Sequence, residues 1–391
     1  TEARPLSVSV LERNILLIED SAGIAVVRSQ FDDGDANGAF TLSMDLRHDA
    51  VDANVYADNR GTPAVGRSQL WLSSGVNQAL GLGERIQVGV FTVPTQPQEL
   101  QYSEVRYSQP IGDDGLLITL SGSYSMVDGG SNQALSDTES TTRKGVVQMA
   151  YPVIRERSLN LWLNGFFEHY DSSEDRFRRL NYDDRLRIVR ARTNMSVRDS
   201  WDGTSWAAGT LSRGLDIMGA STAGSGNLSR FDGDPEFTKL YLDIGRTQEI
   251  GEHYAIEVSA VGQKSSSPLL SSEEIGLGGS RFGRAYDYAE VTGDDGVAGS
   301  VELRRIFRTD DADFDYIQLY GFYDIGAVWN RNASNAEFSR QSLASTGLGL
   351  RAAILQAAQV SVEVAKPLTR PVFTSDNDNG ARVFFSISAQ F

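Results

Sequence analysis

Residues 358–365 read Ala-Gln-Val-Ser-Val-Glu-Val-Ala, an alternation of apolar and polar side chains. Successive side chains of a β-strand point to opposite faces, so one face of this segment is apolar and the other is polar. Residues 159–167 and 238–245 alternate in the same way, and the pattern persists through most of the chain after residue 49. A wall between lipid and a wet lumen needs one apolar and one polar face. The alternation therefore predicts membrane-spanning strands.

The composition excludes several functional classes. The chain has 391 residues, 38 glycines, no cysteine and a formal net charge of −16. Without cysteine, it has no thiol catalysis, zinc–thiolate site or iron–sulfur cluster. An acidic chain is a poor match for nucleic-acid phosphates, so no nucleic-acid partner is expected. No apolar run is long enough for a transmembrane helix. A barrel fits this composition because lipid-facing and lumen-facing residues average to a moderate hydropathy.

The number of strands and the lengths of their connections distinguish a barrel from a sandwich. About sixteen alternating strands fit into residues 50–391, and they are longer than most strands of globular sheets. Short connections, at 78–84, 109–115, 152–158, 248–253 and 354–358, alternate with long ones, at 127–143, 171–184, 213–236, 264–296, 330–342 and 366–380. Short turns on one rim and long loops on the other are typical of bacterial outer-membrane barrels. A two-sheet sandwich also alternates, but strand number and length disfavour it. We expect an all-β transmembrane barrel of 16 antiparallel strands.

The first 49 residues have a different pattern. Apolar residues recur at helical spacing after Ser9, which is a candidate N-cap, and the helix is expected to stop at residues 21–23. Two alternating segments then flank a turn at residues 32–38. A helix and a hairpin are too small for an independent core. Residues 1–49 are therefore predicted to be the C-terminal part of a small α+β domain.

The last strand ends on an aromatic residue. One of its faces is apolar, and Phe385, Ile387 and the terminal Phe391 belong to it. This ending resembles the signal that outer-membrane barrels present to the barrel-assembly machinery. A strand that merely ends in phenylalanine is the alternative interpretation.

A long connection late in the chain carries a more specific resemblance. Residues 270–288 read Leu-Ser-Ser-Glu-Glu-Ile-Gly-Leu-Gly-Gly-Ser-Arg-Phe-Gly-Arg-Ala-Tyr-Asp-Tyr. This stretch and the strand that follows resemble the two-partner secretion transporters, the TpsB class of ShlB/FhaC/HecB-type haemolysin secretion/activation proteins. Their superfamily also contains the central subunit of the barrel-assembly machinery. The matching loop and strand residues are Gly278, Gly279, Gly293, Asp294 and Gly296.

The resemblance implies a position for this loop. In the family the sixth extracellular loop folds into the lumen, and its Arg-Gly-Tyr/Phe tip meets acidic residues of the inner wall. The expected inward loop spans about residues 265–296, and the tip is Arg284-Ala285-Tyr286. Ala285 stands where the family usually has glycine, which puts the tight turn there in question.

Strand periodicity identifies partners for Arg284 independently of the family. Alternation after the loop points Glu302 inward, and alternation on the next strand points Asp324 inward. A guanidinium inside a barrel needs carboxylate partners, and its planar fork suits a bidentate pair. We therefore expect Arg284 to pair with Asp324, and Glu302 is a further candidate partner. Ordinary solvated residues are the alternative.

Further segments match the family in the same order. Residues 11–24 resemble the second periplasmic POTRA domain from its second helix onward, and residues 58–61, 66–67 and 80–85 resemble the first barrel hairpins. Residues 151–155 and 323–326 also match. Two other features typical of the class, a first POTRA domain and a pore-plugging N-terminal helix, are not visible in this sequence; a position upstream of Thr1 and a disordered segment both stay open.

The function implied by the resemblance is type Vb secretion through the outer membrane of a Gram-negative bacterium. The chain would be a monomeric pore that exports an unfolded partner exoprotein without ATP, with no cofactor and with its POTRA part in the periplasm. Its other partners would be outer-membrane lipid, lipopolysaccharide and the barrel-assembly machinery. Two alternatives stay open: a barrel-assembly or lipoprotein-surfacing factor of the same superfamily, and a diffusion porin.

No chemical site emerges from the residues. The three histidines, His48, His169 and His253, lie on separate segments and form no metal-ligand motif. Nucleophile-elbow and phosphate-loop motifs are absent, so no enzyme is expected. An arginine-rich run spans residues 176–192. Three interpretations of this run stay open: it contacts lipopolysaccharide phosphates, it lines the lumen, or it is a solvated loop and strand end.

Overall fold

The computed structural model describes residues 7–33, 40–130, 137–308, 314–332, 338–355, 357–373 and 377–391. It begins with helix α1 (Val8–Glu19) and the hairpin β1 (Ile24–Asp33) and β2 (Phe40–His48). The strands that follow are β3 (Val51–Asp58), β4 (Gln69–Asn77), β5 (Arg85–Thr92), β6 (Leu100–Ile111), β7 (Leu116–Asp128), β8 (Glu139–Arg155), β9 (Leu159–Arg176), β10 (Arg179–Arg198), β11 (Gly203–Gly214), β12 (Thr238–Ile250), β13 (Tyr254–Ser265), β14 (Ile275–Leu277), β15 (Val291–Gly293), β16 (Asp295–Arg308), β17 (Phe314–Trp329), β18 (Arg340–Ile354), β19 (Ala358–Pro367) and β20 (Arg382–Gln390).

Sixteen of the described strands form a closed antiparallel barrel. Its order is β3 to β13 followed by β16 to β20, while β14 and β15 form a separate two-stranded sheet. The barrel closes where β20 pairs with β3, from Ser386 opposite Asp58 to Gln390 opposite Asn54. Closure removes unpaired sheet edges, which lipid cannot satisfy with hydrogen bonds. The predicted sixteen-stranded all-β barrel is confirmed.

The outer face is apolar and the inner face is polar. On β12, the outward-facing residues Leu240, Leu242 and Ile244 are 43%, 47% and 53% exposed, as expected of side chains on a lipid-facing surface. Their neighbour Asp243 faces the lumen, where it pairs with Arg281. Among the described residues, no helix has the length and apolar character needed to cross a membrane.

The two rims differ in connection length. The short-turn rim includes residues 112–115, 156–158 and 251–253, and the long-loop rim includes residues 215–237 and 266–294. Parts of other predicted connections, and most of the predicted turn at 32–38, lie outside the described residues.

One predicted long loop is wrong. Residues 171–184 are mostly paired in β9 and β10, and only Phe177 and Arg178 lie between the strands. Both have positive φ, of 51° and 59°, as a two-residue hairpin turn requires. The segment was expected to be a loop because it is polar on both faces. A strand that extends beyond the membrane has water on both sides, so its alternation disappears while its pairing continues.

The N-terminal unit rests on the short-turn rim. Arg155 donates two hydrogen bonds to Asp20, at 2.7 and 2.8 Å, and Gln78 Nε2 donates to the carbonyl of Ala22 at 2.8 Å. The helix N-cap is Ser7, whose hydroxyl accepts from the Val10 amide at 3.3 Å. The predicted cap, Ser9, is wrong because it already lies inside the first helical turn.

Candidate functional site

The lumen contains the connection between β13 and β16, residues 266–294, here called the inward loop. It forms a short 3₁₀-helix, Ser271–Glu273, and then the β14–β15 hairpin. Apolar side chains of the loop pack against the inner wall of β16–β18 in one buried cluster. This cluster includes Ile275, Leu277, Phe282, Tyr286, Val291, Phe322, Val328 and Leu343. Burial of apolar side chains therefore contributes to holding the loop against the inner wall.

Glycines allow the hairpin to approach its own turn and the wall. Gly278 has φ +113°, and a Cβ there would lie 2.1 Å from the carbonyl oxygen of Asp287. Gly296, on the wall, lies under Ile275, whose Cγ2 would be 2.6 Å from an added Cβ. Gly279 lies in the same turn as Gly278, and Gly293 ends β15. At Gly278 and Gly296 a side chain would clash with its neighbours, which explains why the predicted motif has glycine at these positions.

The tip of the inward loop is held by Arg284. Its Nη2 donates to Asp324 Oδ1 at 3.0 Å, its Nε donates to Asp324 Oδ2 at 3.1 Å, and its Nη1 donates to Glu302 Oε2 at 2.5 Å. The Arg284 amide also donates to Asp324 Oδ2, at 2.9 Å. Arg284, Asp324 and Glu302 are 5%, 0% and 4% exposed. Asp324 on β17 thus binds both the side chain and the backbone of the tip.

The charges around this contact are nearly balanced. Glu302 also accepts from Arg351 and Arg304, each at 2.7 Å. Burial alone would lower the pKa of Arg284, but its hydrogen bonds and ion pairs with Asp324 and Glu302 raise the pKa above its ordinary value. Arg284 therefore remains a cation inside the barrel. Its guanidinium also lies 3.5 Å from the centroid of the Phe322 ring.

The tip also reaches the strands next to the closure of the barrel. Arg60, just after β3, donates to the carbonyl of Arg284 at 3.1 Å and to Glu363 on β19 at 2.6 Å. Arg382 on β20 donates to the carbonyl of Ala285 at 2.9 Å and to Asp287 at 2.5 Å. The tip therefore bridges the two sides of the β20–β3 pairing.

Ala285 fits the turn without glycine. It is fully buried and does not have positive φ; the left-handed residue of the turn is Gly283, with φ +78°. The Tyr286 amide closes the turn by donating to the Gly283 carbonyl at 2.8 Å. The Tyr286 hydroxyl donates to the carbonyls of Ala344 and Arg370, at 3.2 and 3.1 Å. The substitution at position 285 thus leaves the tip intact.

A second ionic anchor lies near the start of the inward loop, and sequence reasoning missed it. Glu273 is 6% exposed and accepts from Arg190 at 2.7 and 3.1 Å. Lys239 Nζ lies 2.8 Å from Glu273 Oε2. Burial would raise the pKa of Glu273, but Lys239 and Arg190 outweigh burial and lower it below its ordinary value. Arg190 and Lys239 belong to β10 and β12. The start of the loop is therefore fixed to a different part of the inner wall from the tip, which contacts β16 and β17.

Two further arginines, Arg230 and Arg281, fix the loop through ion pairs. Arg230, from the connection between β11 and β12, donates to Asp294 Oδ1 at 2.8 Å and to Glu274 at 3.2 Å. Arg281 donates two hydrogen bonds to Asp243, at 2.5 and 2.6 Å. Sequence alternation predicts that Asp243 and Lys239 face inward. It carries no signal for which loop residue each one meets.

We expect Glu273→Ala to lower the free energy of unfolding by about 1.5–3 kcal/mol, the usual contribution of hydrogen bonds to charged groups. The variant leaves two partly buried cations, Arg190 and Lys239, with fewer acceptors. Glu252→Ala, in the exposed turn 251–253, is the matched control. Urea titration followed by tryptophan fluorescence measures the difference, and equal midpoints for the two variants would contradict the anchor. Because the pKa of Glu273 is lowered, its contribution is present at neutral pH and is lost as the pH falls through that lowered value.

The other predicted residues lie outside this site. Phe385, Ile387 and Phe391 are exposed on the outer side of the last strand and just after it. No group of three or more metal-ligand side chains occurs among the described residues. The arginine-rich run extends from the last residue of β9, through the turn, to both faces of β10.

Comparisons with known proteins agree with this architecture. The family model of the haemolysin secretion/activation protein ShlB/FhaC/HecB matches residues 44–352. The heme/hemopexin transporter protein HuxB of Haemophilus influenzae is 22% identical over 379 residues, and the match covers 94% of this chain. This chain spans 65% of the length of that relative.

Solved structures show the same fold. CdiB from Escherichia coli matches with a TM-score of 0.81 at 18% identity, covering 96% of this chain and 69% of CdiB. BamA from Haemophilus ducreyi lacking POTRA domains 1–3 matches with a TM-score of 0.64 at 12% identity, covering 98% of this chain and 78% of the other. The barrel is thus that of a protein of the Gram-negative outer membrane. Since the family model extends over most of the barrel, the chain belongs to the ShlB/FhaC/HecB family of haemolysin secretion/activation proteins.

Proposed function

We propose that this chain is the translocation pore of two-partner secretion, which exports an unfolded partner exoprotein across the outer membrane without ATP. The observation that carries the proposal is a closed barrel whose lumen holds a loop fixed by ion pairs and apolar contacts. Such contacts can be exchanged for others, whereas strand pairing would keep the loop in place permanently. The Arg284–Asp324–Glu302 contact is proposed to lock the loop in the resting pore.

The inner wall suits a passing polypeptide of mixed composition. A cavity of about 380 Å³ lies against β6–β11, and Glu104, Arg106, Lys144 and Arg192 are among its lining residues. Charges of both signs and hydroxyl groups can replace water around an extended chain without selecting one sequence. The driving energy would come from folding of the exported protein outside the cell, so no nucleotide site is needed. We accordingly propose that the chain is not an enzyme.

Residues 1–49 are proposed to be the C-terminal part of a periplasmic POTRA domain, and residues 50–391 the barrel. The hairpin supports this role because β1 and β2 are paired only with each other among the described strands. Each therefore has one edge that could accept an added strand from the exoprotein. The helix α1 lies against the short-turn rim, so on this proposal that rim faces the periplasm and the long-loop rim faces outside. We further propose that the mature pore is a monomer and that the barrel-assembly machinery inserts it.

Comparative proteomics of culture supernatants tests the function. Deleting the gene is expected to remove one large partner protein from the medium, and the wild-type gene is expected to restore it. Unchanged secretion would overturn the proposal. Loss of many outer-membrane barrels or lipoproteins instead of one secreted protein would identify the assembly or surfacing alternative.

An engineered disulfide between β20 and β3 distinguishes transport through the lumen from transport through an opening between these two strands. Ala57 and Ile387 are directly opposite each other in this pairing, and the chain has no cysteine of its own. The double variant Ala57→Cys/Ile387→Cys can form a disulfide between the two strands under oxidising conditions. If the exoprotein passes through the lumen, we expect cells with this variant to secrete at least half of the wild-type amount, the level that we set as the threshold. Loss of secretion that a reductant restores would show that the strands must separate.

A further inference from the structure

The arginine-rich run divides according to strand alternation. Arg190 points into the lumen, where it binds Glu273. Arg187 and Arg185 lie an odd number of residues before Arg190 on β10. Because side chains alternate along a strand, both point to the outer face. Arg143 on β8 points to the same outer face, opposite Asp171 of β9, which in turn is opposite Arg185. Three arginines of neighbouring strands thus share one patch outside the barrel.

This patch begins where the lipid-facing surface ends. Val147, Phe167 and Val189 are directly opposite one another and form an apolar row across β8, β9 and β10. Two residues further along each strand, about 7 Å toward the long-loop rim, the row contains His169 and Arg187. The next row contains Arg143, Asp171 and Arg185. Cations therefore follow the last apolar row immediately, at the height of lipid headgroups.

A loop covers the patch and turns it into a pocket. The amides of Leu215 and Ser221 donate to the carbonyls of Arg187 and Arg185, each at 2.8 Å, so this segment runs along the exposed edge of β10. It brings Met218 over the patch, and Met218 is 65% exposed. The resulting pocket has a volume of about 400 Å³, and its lining includes Arg143, Arg185, Arg187 and Met218.

The pocket has guanidinium donors that the protein does not use. Arg187 pairs with Asp171 at 2.7 Å, and Arg185 pairs with Asp183 at 2.7 Å. The side chain of Arg143 forms no ion pair or hydrogen bond with the described residues. Arg187 is 3% exposed, and its Nε has no acceptor. Three cations against two carboxylates leave one positive charge and several N–H groups, in an otherwise acidic chain. Such donors match the oxygens of a phosphate group.

A second groove, lined partly by apolar residues, adjoins the pocket on the outer face. It has a volume of about 420 Å³ and shares Arg143 with the pocket, while Val105, Gly122, Tyr124 and Gly145 are among its other lining residues. Gly122 and Gly145 are directly opposite each other, and a Cβ added to either would meet no atom within 4 Å. The missing side chains therefore leave open space on the outer face beside the pocket, where an acyl chain could lie.

We propose that the outer face of β7–β10 binds one phosphorylated glycolipid of the outer leaflet, the class to which lipopolysaccharide belongs. Arg143, Arg185 and Arg187 bind a headgroup phosphate, and the groove at Gly122 and Gly145 takes an acyl chain. A basic pocket alone would also suit an acidic polypeptide, but the adjoining open groove with apolar lining residues favours a lipid. The proposal depends on the proposed function only for its orientation, with the long loops outside the cell.

The test is a binding titration on the full chain in nanodiscs of neutral phosphatidylcholine. The probe is a fluorescent lipid A with both phosphates, compared with the same lipid after removal of its phosphates. We expect Arg143→Gln with Arg185→Gln to weaken binding of the phosphorylated probe about tenfold or more. Gly145→Leu, which fills the groove and leaves every charge in place, is expected to weaken it about fivefold. Arg305→Gln is the matched control, because Arg305 also faces outward but lies near the short-turn rim beside Tyr254.

Each outcome decides the proposal. Weaker binding in both pocket variants, wild-type binding in Arg305→Gln and loss of binding without phosphates would support it. Equal binding of the dephosphorylated lipid, or wild-type binding in the pocket variants, would overturn it. Displacement of the probe by polyglutamate or inorganic phosphate alone would assign the pocket to an acidic polypeptide or a free anion and would also overturn it. Heat-modifiable migration on gels confirms that each variant is folded, and normal secretion by the variants would leave the proposed function intact.

Discussion

Asp324→Ala is expected to lower the free energy of unfolding of the barrel by about 3–5 kcal/mol, the usual cost of removing one partner from a buried ion pair. Asp324 is fully buried and accepts from the side chain and the backbone amide of Arg284. Ser300 and Ser345 also donate to it, at 2.7 and 3.1 Å. The variant removes the acceptor that these donors share and leaves Arg284 with Glu302 as its nearest carboxylate, while Glu363 is 4.0 Å away. Urea unfolding followed by tryptophan fluorescence measures the loss.

A double-mutant cycle separates the ion pair from the rest of the site. Arg284→Met keeps much of the apolar stem and removes the cation, which leaves Asp324 buried with a charge. The double variant contains neither charge and should be more stable than the sum of the two single losses predicts, by about 0.5–3 kcal/mol. Asp113→Ala, in the exposed turn 112–115, is the control for loss of a carboxylate. Additive losses would show that the tip is held by its apolar neighbours instead of the ion pair.

The faces of the barrel could be predicted because alternation is a local property. Each strand carries its own two-residue period, so Glu302 and Asp324 could be assigned to the lumen without knowledge of any contact. A carboxylate that faces a lumen and an arginine in a long loop are then complementary by charge. The structure has these residues in contact, together with Ser300 and Ser345, which the sequence did not single out.

The second anchor could not be predicted because it depends on the path of the inward loop. Alternation alone cannot tell which lumen-facing cations will meet Glu273, since Arg190 and Lys239 lie on separate strands, 83 and 34 residues away in sequence. The paired residues between 171 and 184 escaped detection for a different reason. Alternation reports lipid on one side, and it disappears where a strand leaves the membrane. The sequence therefore predicts the membrane-spanning part of the strands better than their extensions beyond the membrane or the contacts of the inward loop.

The inward loop also depends on shape, and Gly296→Leu should displace it. Gly296 faces the lumen beneath the β14–β15 hairpin, where an added Cβ would lie 2.6 Å from Ile275 Cγ2 and 3.2 Å from Val328 Cγ1. A leucine would need the volume that Ile275 now fills, while the strand β16 itself could still pair with β13 and β17. Overpacking of this kind costs about 1–3 kcal/mol. The population with a displaced hairpin should therefore rise by a factor of about 5 to about 150.

Gly299→Leu is the matched control, because Gly299 lies on the same strand but faces lipid, with its nearest neighbour, the Ser259 carbonyl, 3.5 Å from an added Cβ. In planar bilayers, Gly296→Leu should raise the ion conductance, and trypsin added from the long-loop side should cleave after Arg281 or Arg284 faster than in wild type. Gly299→Leu should match wild type in both measurements. If the two variants conduct and are cleaved alike, the hairpin does not depend on the space above Gly296, and ion pairs alone must keep the loop inside the barrel.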